Sequence, residues 1–471
     1  MLRIKDTKVF SEINEFFTDN NNPVFQIMDR ISELKLKIRT PKQSKYDRRF
    51  KLFHLLIGQL MGMCTVHQYL KGFERWTECK KDVLYRFKSN GNINWRIILN
   101  RINKKLIQNQ ESMNTHSNES TKCLIIDDTD FEKRGSKMEF IGRIFNHVKK
   151  TYNLGYKCLN LCYWNGNSCY GLDFSIHIET GRNPAKQQGL SKMEQKQRFS
   201  KLRADNSPGH QRQKELVKSK ISMAIQMLKG QLKQGIKANY LLADSWFTCV
   251  ELIQAVIKFP GLHYLGMAKI GKTKYELKGK FYTASQLINK MKRNKSYSRK
   301  LKMQYLTVRD AKFKNIPVKI FFYKTSRSSS YQMLITTHNS LDAVKAFSIY
   351  RIRWSIELFY KESKQHLNLG KSQSIDFDTQ IADTTISIIT YNLLSSIRSL
   401  NEYKSIGGLF EQISKNNITP NLIDRINELL EQILEILVEV LQVDIYRILD
   451  EKLSSPDFDN KYLKTFLKLA S

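Results

Sequence analysis

The chain has 471 residues, 41% hydrophobic and 11% aromatic, enough to bury two or three cores and too apolar for wholesale disorder. Lys and Arg number 78 against 44 Asp and Glu, a formal net charge of +34, which argues against a protein with no nucleic-acid role. Each phosphate that such a surface neutralises releases a condensed counterion, so a polyanion is the expected partner. No apolar core lies in MLRIKDTKVF, so no secretory leader is expected. The longest apolar stretch, Phe53 to Cys64, is interrupted by His54 and Gln59 and falls short of the ~20 residues that span a bilayer, so no membrane partner is expected. The seven cysteines form no CxxC pair and read as reduced thiols of a cytoplasmic protein. Cys158 and Cys162 share a strand face, but a zinc site there lacks two ligands.

Residues 1–115 read as a helical, basic region. The run from Lys35 to Lys51 holds eight cations against Asp47, a candidate DNA-contacting face, with helices predicted at 50–64 and 66–76. Gln108 to Thr121 has no periodicity and reads as a linker. KCLIID (122–127) is an apolar run ending in acids, as a buried strand would be. Two further strand-like runs, 156–164 and 168–178, flank Asn165-Gly166, a hairpin signal in which both turn residues take positive φ. A polar connection over 181–211 precedes a helix at 212–232, the strand YLLAD (240–244), a helix at 250–257 and a strand at 262–270. Residues 271–338 read as β-rich, with YLTVR, VKIFFY and YQMLITT between Lys-rich turns, and helix dominates from Ser340 onward. The pattern is α/β, divided as 1–115, a core in two parts (120–270 and 339–400), a β-rich insertion at 271–338, and a helical C-terminal region at 401–471.

The segment 340–370 has no interior Pro or Gly, with Ser340 as N-cap and Gly370 as stop. At about 100° per residue, Tyr350, Arg353, Glu357 and Lys364 fall within an arc of about 60°, while Ile349, Ile352, Ile356 and Phe359 form a separate apolar stripe. A plain surface ion pair between Arg353 and Glu357 leaves the aligned Tyr and Lys unexplained. Metal-dependent phosphodiester cleavage needs two divalent cations about 3.5–4 Å apart, and hard cations want carboxylate oxygens. Asp128 and Asp244 each follow an apolar strand, and Glu357 faces out of the helix.

On these residues the chain resembles the insertion-sequence-four family of bacterial DDE transposases. Asp128-Thr129 after LIID, Asp244 after YLLA, and Y-x2-R-x3-E-x6-K at Tyr350, Arg353, Glu357 and Lys364 carry the resemblance over roughly residues 120 to 375. It implies an RNase H-like core binding two Mg²⁺ or Mn²⁺ ions through Asp128, Asp244 and Glu357. Tyr350, Arg353 and Lys364 are then DNA-phosphate contacts. The implied activity is strand cleavage at transposon ends followed by strand transfer, by a homodimer assembled on double-stranded DNA in the bacterial cytoplasm, at the nucleoid.

Adjacent strand residues point to opposite faces, so only one of Asp127 and Asp128 is a ligand. Asp128 is chosen because the family's Asp precedes Thr. Hairpin-forming relatives carry an aromatic, usually Trp, in the insertion, whereas Trp76, Trp95, Trp164, Trp246 and Trp354 all lie outside 271–338. The rival readings are another RNase H-like nuclease or integrase, a non-catalytic DNA-binding protein derived from a transposase, and a basic RNA-binding protein. Leu422 to Leu449 repeats apolar residues every seven positions, at Ile426, Ile433 and Val440, and reads as a core helix or a contact in a DNA-bridged dimer.

Overall fold

The computed structural model describes residues 44–400, except 61–64, 73–78, 114–119, 147–148, 182–185, 326–327 and 329. The expectations for Leu422–Leu449 and for the cations at 35–42 lie outside the described residues.

The strands in chain order are β1 (Cys123–Glu132), β2 (Gly142–Asn146), β3 (Thr151–Trp164), β4 (Cys169–His177), β5 (Tyr240–Ala243) and β6 (His263–Ala268). They are followed by β7 (Lys274–Leu277), β8 (Lys280–Thr283), β9 (Ser296–Ser298), β10 (Met303–Phe313), β11 (Ile316–Thr325) and β12 (Gln332–Thr336). They form one 12-stranded sheet in the order β2-β3-β1-β5-β6-β12-β11-β10-β7-β8, with β4 on β3 and β9 on β10. β1, β3 and β4 are antiparallel neighbours, whereas β1, β5 and β6 run parallel. β5, between β1 and β6, is apolar throughout because both sheet faces are covered there: its YLLA is wholly buried. A mixed sheet of this order, with helices against it, is consistent with an RNase H-like nuclease.

The strands of 271–338 do not form a separate sheet. β12 pairs antiparallel with β6, so β7 to β12 continue the sheet of β1, β5 and β6 as an extension.

The two faces of β1 meet different surroundings. Leu124 and Ile126 belong to the core that includes Leu159, Leu161, Met223 and Met227, the methionines lying on the helix Lys220–Lys233. Asp128 continues this series. Asp127 and Thr129 belong to the opposite series, against which the helix Trp354–His366 packs: Tyr360 donates from its hydroxyl to the Asp127 carbonyl at 2.8 Å.

Local chemistry departs from the sequence-based expectations in four places. At the β3–β4 turn only Gly166 takes positive φ, +106°. Asn165 instead accepts hydrogen bonds on its side chain from the amides of Asn167 and Ser168, at 3.0 and 2.8 Å, and closes the turn that way. The predicted linker is partly helical, since the helix Trp95–Met113 reaches into it. The predicted helix 212–232 is two helices, Pro208–Glu215 and Lys220–Lys233, because Ser219 caps the second through the Ser222 amide. The predicted helix 340–370 is also two, Ala343–Tyr350 and Trp354–His366, joined by a 3₁₀ turn at Arg351–Arg353, and its N-cap is Asp342 rather than Ser340. The chain leaves that second helix at Leu367, and Gly370 comes shortly after at φ +75°, where a side chain would meet the Phe131 ring.

Candidate active site

Three elements bring acids together. β1 supplies Asp127, the end of β5 supplies Asp244 and the helix Trp354–His366 supplies Glu357. Arg353 joins two of them: its Nη1 donates to Asp127 Oδ2 at 2.9 Å, and its two terminal nitrogens reach Glu357 Oε1 at 3.3 and 3.4 Å. The tight 3₁₀ turn preceding the helix is what carries Arg353 to this point. Asp127 also accepts the Asp128 amide on Oδ1 at 2.8 Å. Burial pushes the Asp127 carboxyl up to about 7, Arg353 pulls the other way, and the negative charges of Asp244 and Glu357 add to the rise. That response places all three acids within one electrostatic neighbourhood.

Asp244 sits in an Asx turn, accepting the Trp246 amide on Oδ1 at 2.9 Å. Tyr350 is half-buried, burial raises its phenol, and it interacts with Arg353. Lys364 lies two turns beyond Glu357 and reaches back to β1, donating to Thr129 Oγ1 at 2.6 Å and to the Asp130 carbonyl at 3.0 Å. Burial lowers its pKa, partly offset by Asp130.

Asp128 is not in this cluster. It projects to the opposite face, where Lys220 donates to its Oδ2 at 2.6 Å. The structure therefore brings together Asp244, Glu357, Tyr350 and Arg353, holds Lys364 nearby against β1, and puts Asp127 where Asp128 is expected. The physical reason is the alternation of the strand: the face of β1 against the helix Trp354–His366 takes the odd-numbered residues. Thr129, two residues from Asp127 and bonded to Lys364, is a signal that sequence periodicity offers. Tyr360 and Lys220 carry no such signal, because their roles depend on which helix covers which face.

Among the described residues, no three carboxylate, imidazole or thiolate groups converge closely enough to be a ready metal cage. The donor chemistry fits a hard divalent cation all the same. The acids are crowded enough to oppose the ionisation of Asp127, and the positive charge that relieves them here is the Arg353 guanidinium.

Sheet order and acid cluster together define a candidate RNase H-like nuclease. Comparison with known families sharpens the class. A model described as the transposase DDE domain matches residues 217–393, and one described as DDE superfamily endonuclease matches residues 45–277. The first span includes Asp244 and Glu357, and the second includes Asp127, Asp128 and Asp244. These matches support a DDE transposase-like protein and, with it, a nuclease-type enzyme. No curated protein matches the chain.

Proposed function

We propose that this chain is a DDE transposase of the insertion-sequence-four type, which binds the ends of its element in double-stranded DNA, cleaves them and joins the freed ends to a target. The observation that carries the reading is the meeting of Asp127 and Glu357 at Arg353, with Asp244 near enough for its charge to raise the Asp127 carboxyl. The +34 charge supports the DNA partner. Among the described residues, no helix is long and apolar enough to cross a membrane.

In this reading Asp127, Asp244 and Glu357 hold the divalent ions, Mg²⁺ or Mn²⁺, and Asp127 takes the place that the sequence alone gives to Asp128. Bound there, two ions supply activation of an attacking oxygen and stabilisation of a leaving oxygen. The rest falls to the chain. Arg353 exchanges carboxylates for a DNA phosphate, which its planar fork can grip with two parallel bonds. Tyr350 backs the guanidinium. Lys364, held against Thr129, presents a point charge two turns along the same helix face from Glu357. Held phosphates fix the scissile bond against the acids, and fixed geometry is worth several powers of ten in rate.

The test is cleavage of duplex DNA carrying the element's terminal sequences, in Mg²⁺. Asp127→Ala, Asp244→Ala and Glu357→Ala should each abolish cleavage and leave gel-shift binding largely intact, because basic residues supply affinity and the acids supply chemistry. Cleavage at the wild-type rate by Asp127→Ala, with its loss in Asp128→Ala, would return the first ligand to Asp128. A dimer bridged by the two ends, involving Leu422–Leu449, belongs to the same proposal. Light scattering with and without end DNA reads it directly, and a folded Leu437→Asp variant that still gives the two-protomer complex removes that segment from the interface.

A further inference from the structure

β5 ends one residue before Asp244, and the last rung it shares with β6 pairs Ala243 with Gly266. Past that rung the turn of residues 244–248 is tied to the sheet by a side chain. The Thr248 hydroxyl lies at hydrogen-bond distance from three groups: the Met267 carbonyl of β6, the Tyr264 hydroxyl at 2.7 Å and the Asp244 carbonyl at 3.3 Å. It has one proton to give, and the two carbonyls can only accept. The Tyr264 phenol is therefore the donor to Thr248, which leaves the threonine proton for Met267. The chain of bonds starts and ends on β6, with the turn threaded between.

Tyr264 is fixed for this task. Its amide donates to Thr337 Oγ1 at 2.9 Å, its carbonyl accepts from Thr336 Oγ1 at 2.8 Å, and its side chain is fully buried. The ring lies along its own strand over Gly266, where a Cβ would stand 2.3 Å from the phenol oxygen and 2.7 Å from the carbon that bears it. Gly266 has no positive φ, so what it supplies is room for the ring. On the other side of the turn, Asp244 Oδ1 accepts the amides of Trp246 and Phe247 at 2.9 and 3.3 Å. The carboxylate is thus aimed by amides that the neighbouring Thr248 holds in place.

We propose that Tyr264 and Thr248 are positioning residues for Asp244, a clamp that sets its carboxylate for a divalent ion before any ion arrives. This rests on the reading of Asp244 as a metal ligand. Both hydroxyls act through the turn, as groups that orient a ligand from outside its coordination shell do.

The experiment uses the full-length protein and near-isosteric changes. Tyr264→Phe removes one hydroxyl and keeps the ring, Thr248→Val removes the other, and Thr248→Ser retains it. Hydrogen exchange of the 244–248 turn is followed by mass spectrometry without metal. Mn²⁺ binding is read by electron paramagnetic resonance, and cleavage of end DNA in Mg²⁺ gives kcat and KM. Tyr264→Phe and Thr248→Val should each speed exchange in the turn and weaken Mn²⁺ binding about tenfold or more. The kcat should fall with KM for DNA unchanged, because the turn carries an acid and the affinity comes from cations. Thr248→Ser should restore most of the loss, and the double variant should lose no more than either single change, since the hydroxyls form one link. Wild-type Mn²⁺ binding and kcat in Tyr264→Phe and Thr248→Val, with both lost in Asp244→Ala, overturns the clamp and leaves the metal reading standing, whatever the melting temperatures do. Unchanged Mn²⁺ binding and cleavage in Asp244→Ala overturns the metal reading and the clamp with it.

Discussion

Two arginines in this molecule each sit between two carboxylates, and the clusters could hardly differ more in finish. Arg203 is sealed: its side chain is 1% exposed, it grips Glu139 with two bonds of 2.7 and 2.6 Å, and its Nε reaches Asp378 at 3.1 Å. Lys201 closes the remaining side, donating at 2.8 Å to both Asp376 and Asp378. Arg353 has one good bond, to Asp127, and two long ones to a Glu357 that is 39% exposed. The first cluster is complete as it stands and fastens the loop before Pro208 and the β1–β2 connection to the start of the helix Phe377–Leu400. The second leaves carboxylate oxygens short of partners, with Asp244 adding negative charge. Saturation marks a staple, and the looser cluster is the one to which the proposed function assigns the ions.

The contrast breaks most readily at Arg203. Arg203→Ala leaves buried Glu139 without its cation and Asp378 with Lys201 alone, and should cost about 3–5 kcal/mol, read as a fall in the urea midpoint or as insoluble expression. An unchanged midpoint would show that the network is ornamental.

Arg353→Gln tests the other side. Cleavage should fall about a hundredfold or more while the protein stays folded. Because the variant no longer offers its own cation to Asp127 and Glu357, added Mg²⁺ should raise its melting temperature more than that of the wild type. Equal shifts in the two proteins would mean that Arg353 and the ion do not compete.

The next effect is set by pH. Burial, with Lys220 adding to it, holds the His177 imidazole down at about 4, and its Nε2 lies 2.8 Å from Ser175 Oγ. An imidazole kept neutral binds fewer protons folded than unfolded below pH 6.5. Its contribution is therefore intact above that value and is lost as the pH falls toward 4. Fully developed, the loss is roughly 3 kcal/mol. His177→Gln should flatten melting temperature against pH between 6.5 and 4, and a slope equal to the wild type's would assign the acid sensitivity elsewhere.

The smallest effect belongs to a pair that is neither staple nor site. Lys312 and Glu276 meet at 3.1 Å between β10 and β7, with Lys312 49% exposed, so Lys312→Ala should change stability by less than about 0.5 kcal/mol. A larger loss by denaturation would make the sheet extension more dependent on surface charge than its buried core implies.

Much of the fold was legible in the sequence where local signals suffice. The runs Leu124–Ile126 and Tyr240–Ala243 are buried strands because nothing polar interrupts them, and Glu357 and Arg353 lie together because four residues separate them on a helix. What sequence could not decide is non-local. Asp127 and Asp128 are the same chemical group on adjacent residues, and only the packing of Trp354–His366 on one face and Lys220–Lys233 on the other tells them apart. The break at Arg351–Arg353 has no Pro or Gly to announce it. Nor does any local pattern tell β12 to pair with β6 and merge 271–338 into the same sheet, since that choice depends on partners far away in the chain.

The cysteines give the central strands of the sheet a clock. Cys123 lies on β1 four residues before Asp127, and Cys158 and Cys162 lie on β3, hydrogen-bonded to β1. All three are buried, and burial pushes the thiols of Cys123 and Cys158 up to about 12. A thiol reagent therefore meets almost no thiolate and no path in until the strands part. The rate at which these cysteines are alkylated is the rate at which β1 and β3 open. With no label added, the unaltered protein reports how often the strand that carries Asp127 comes undone, and whether added metal or DNA changes that.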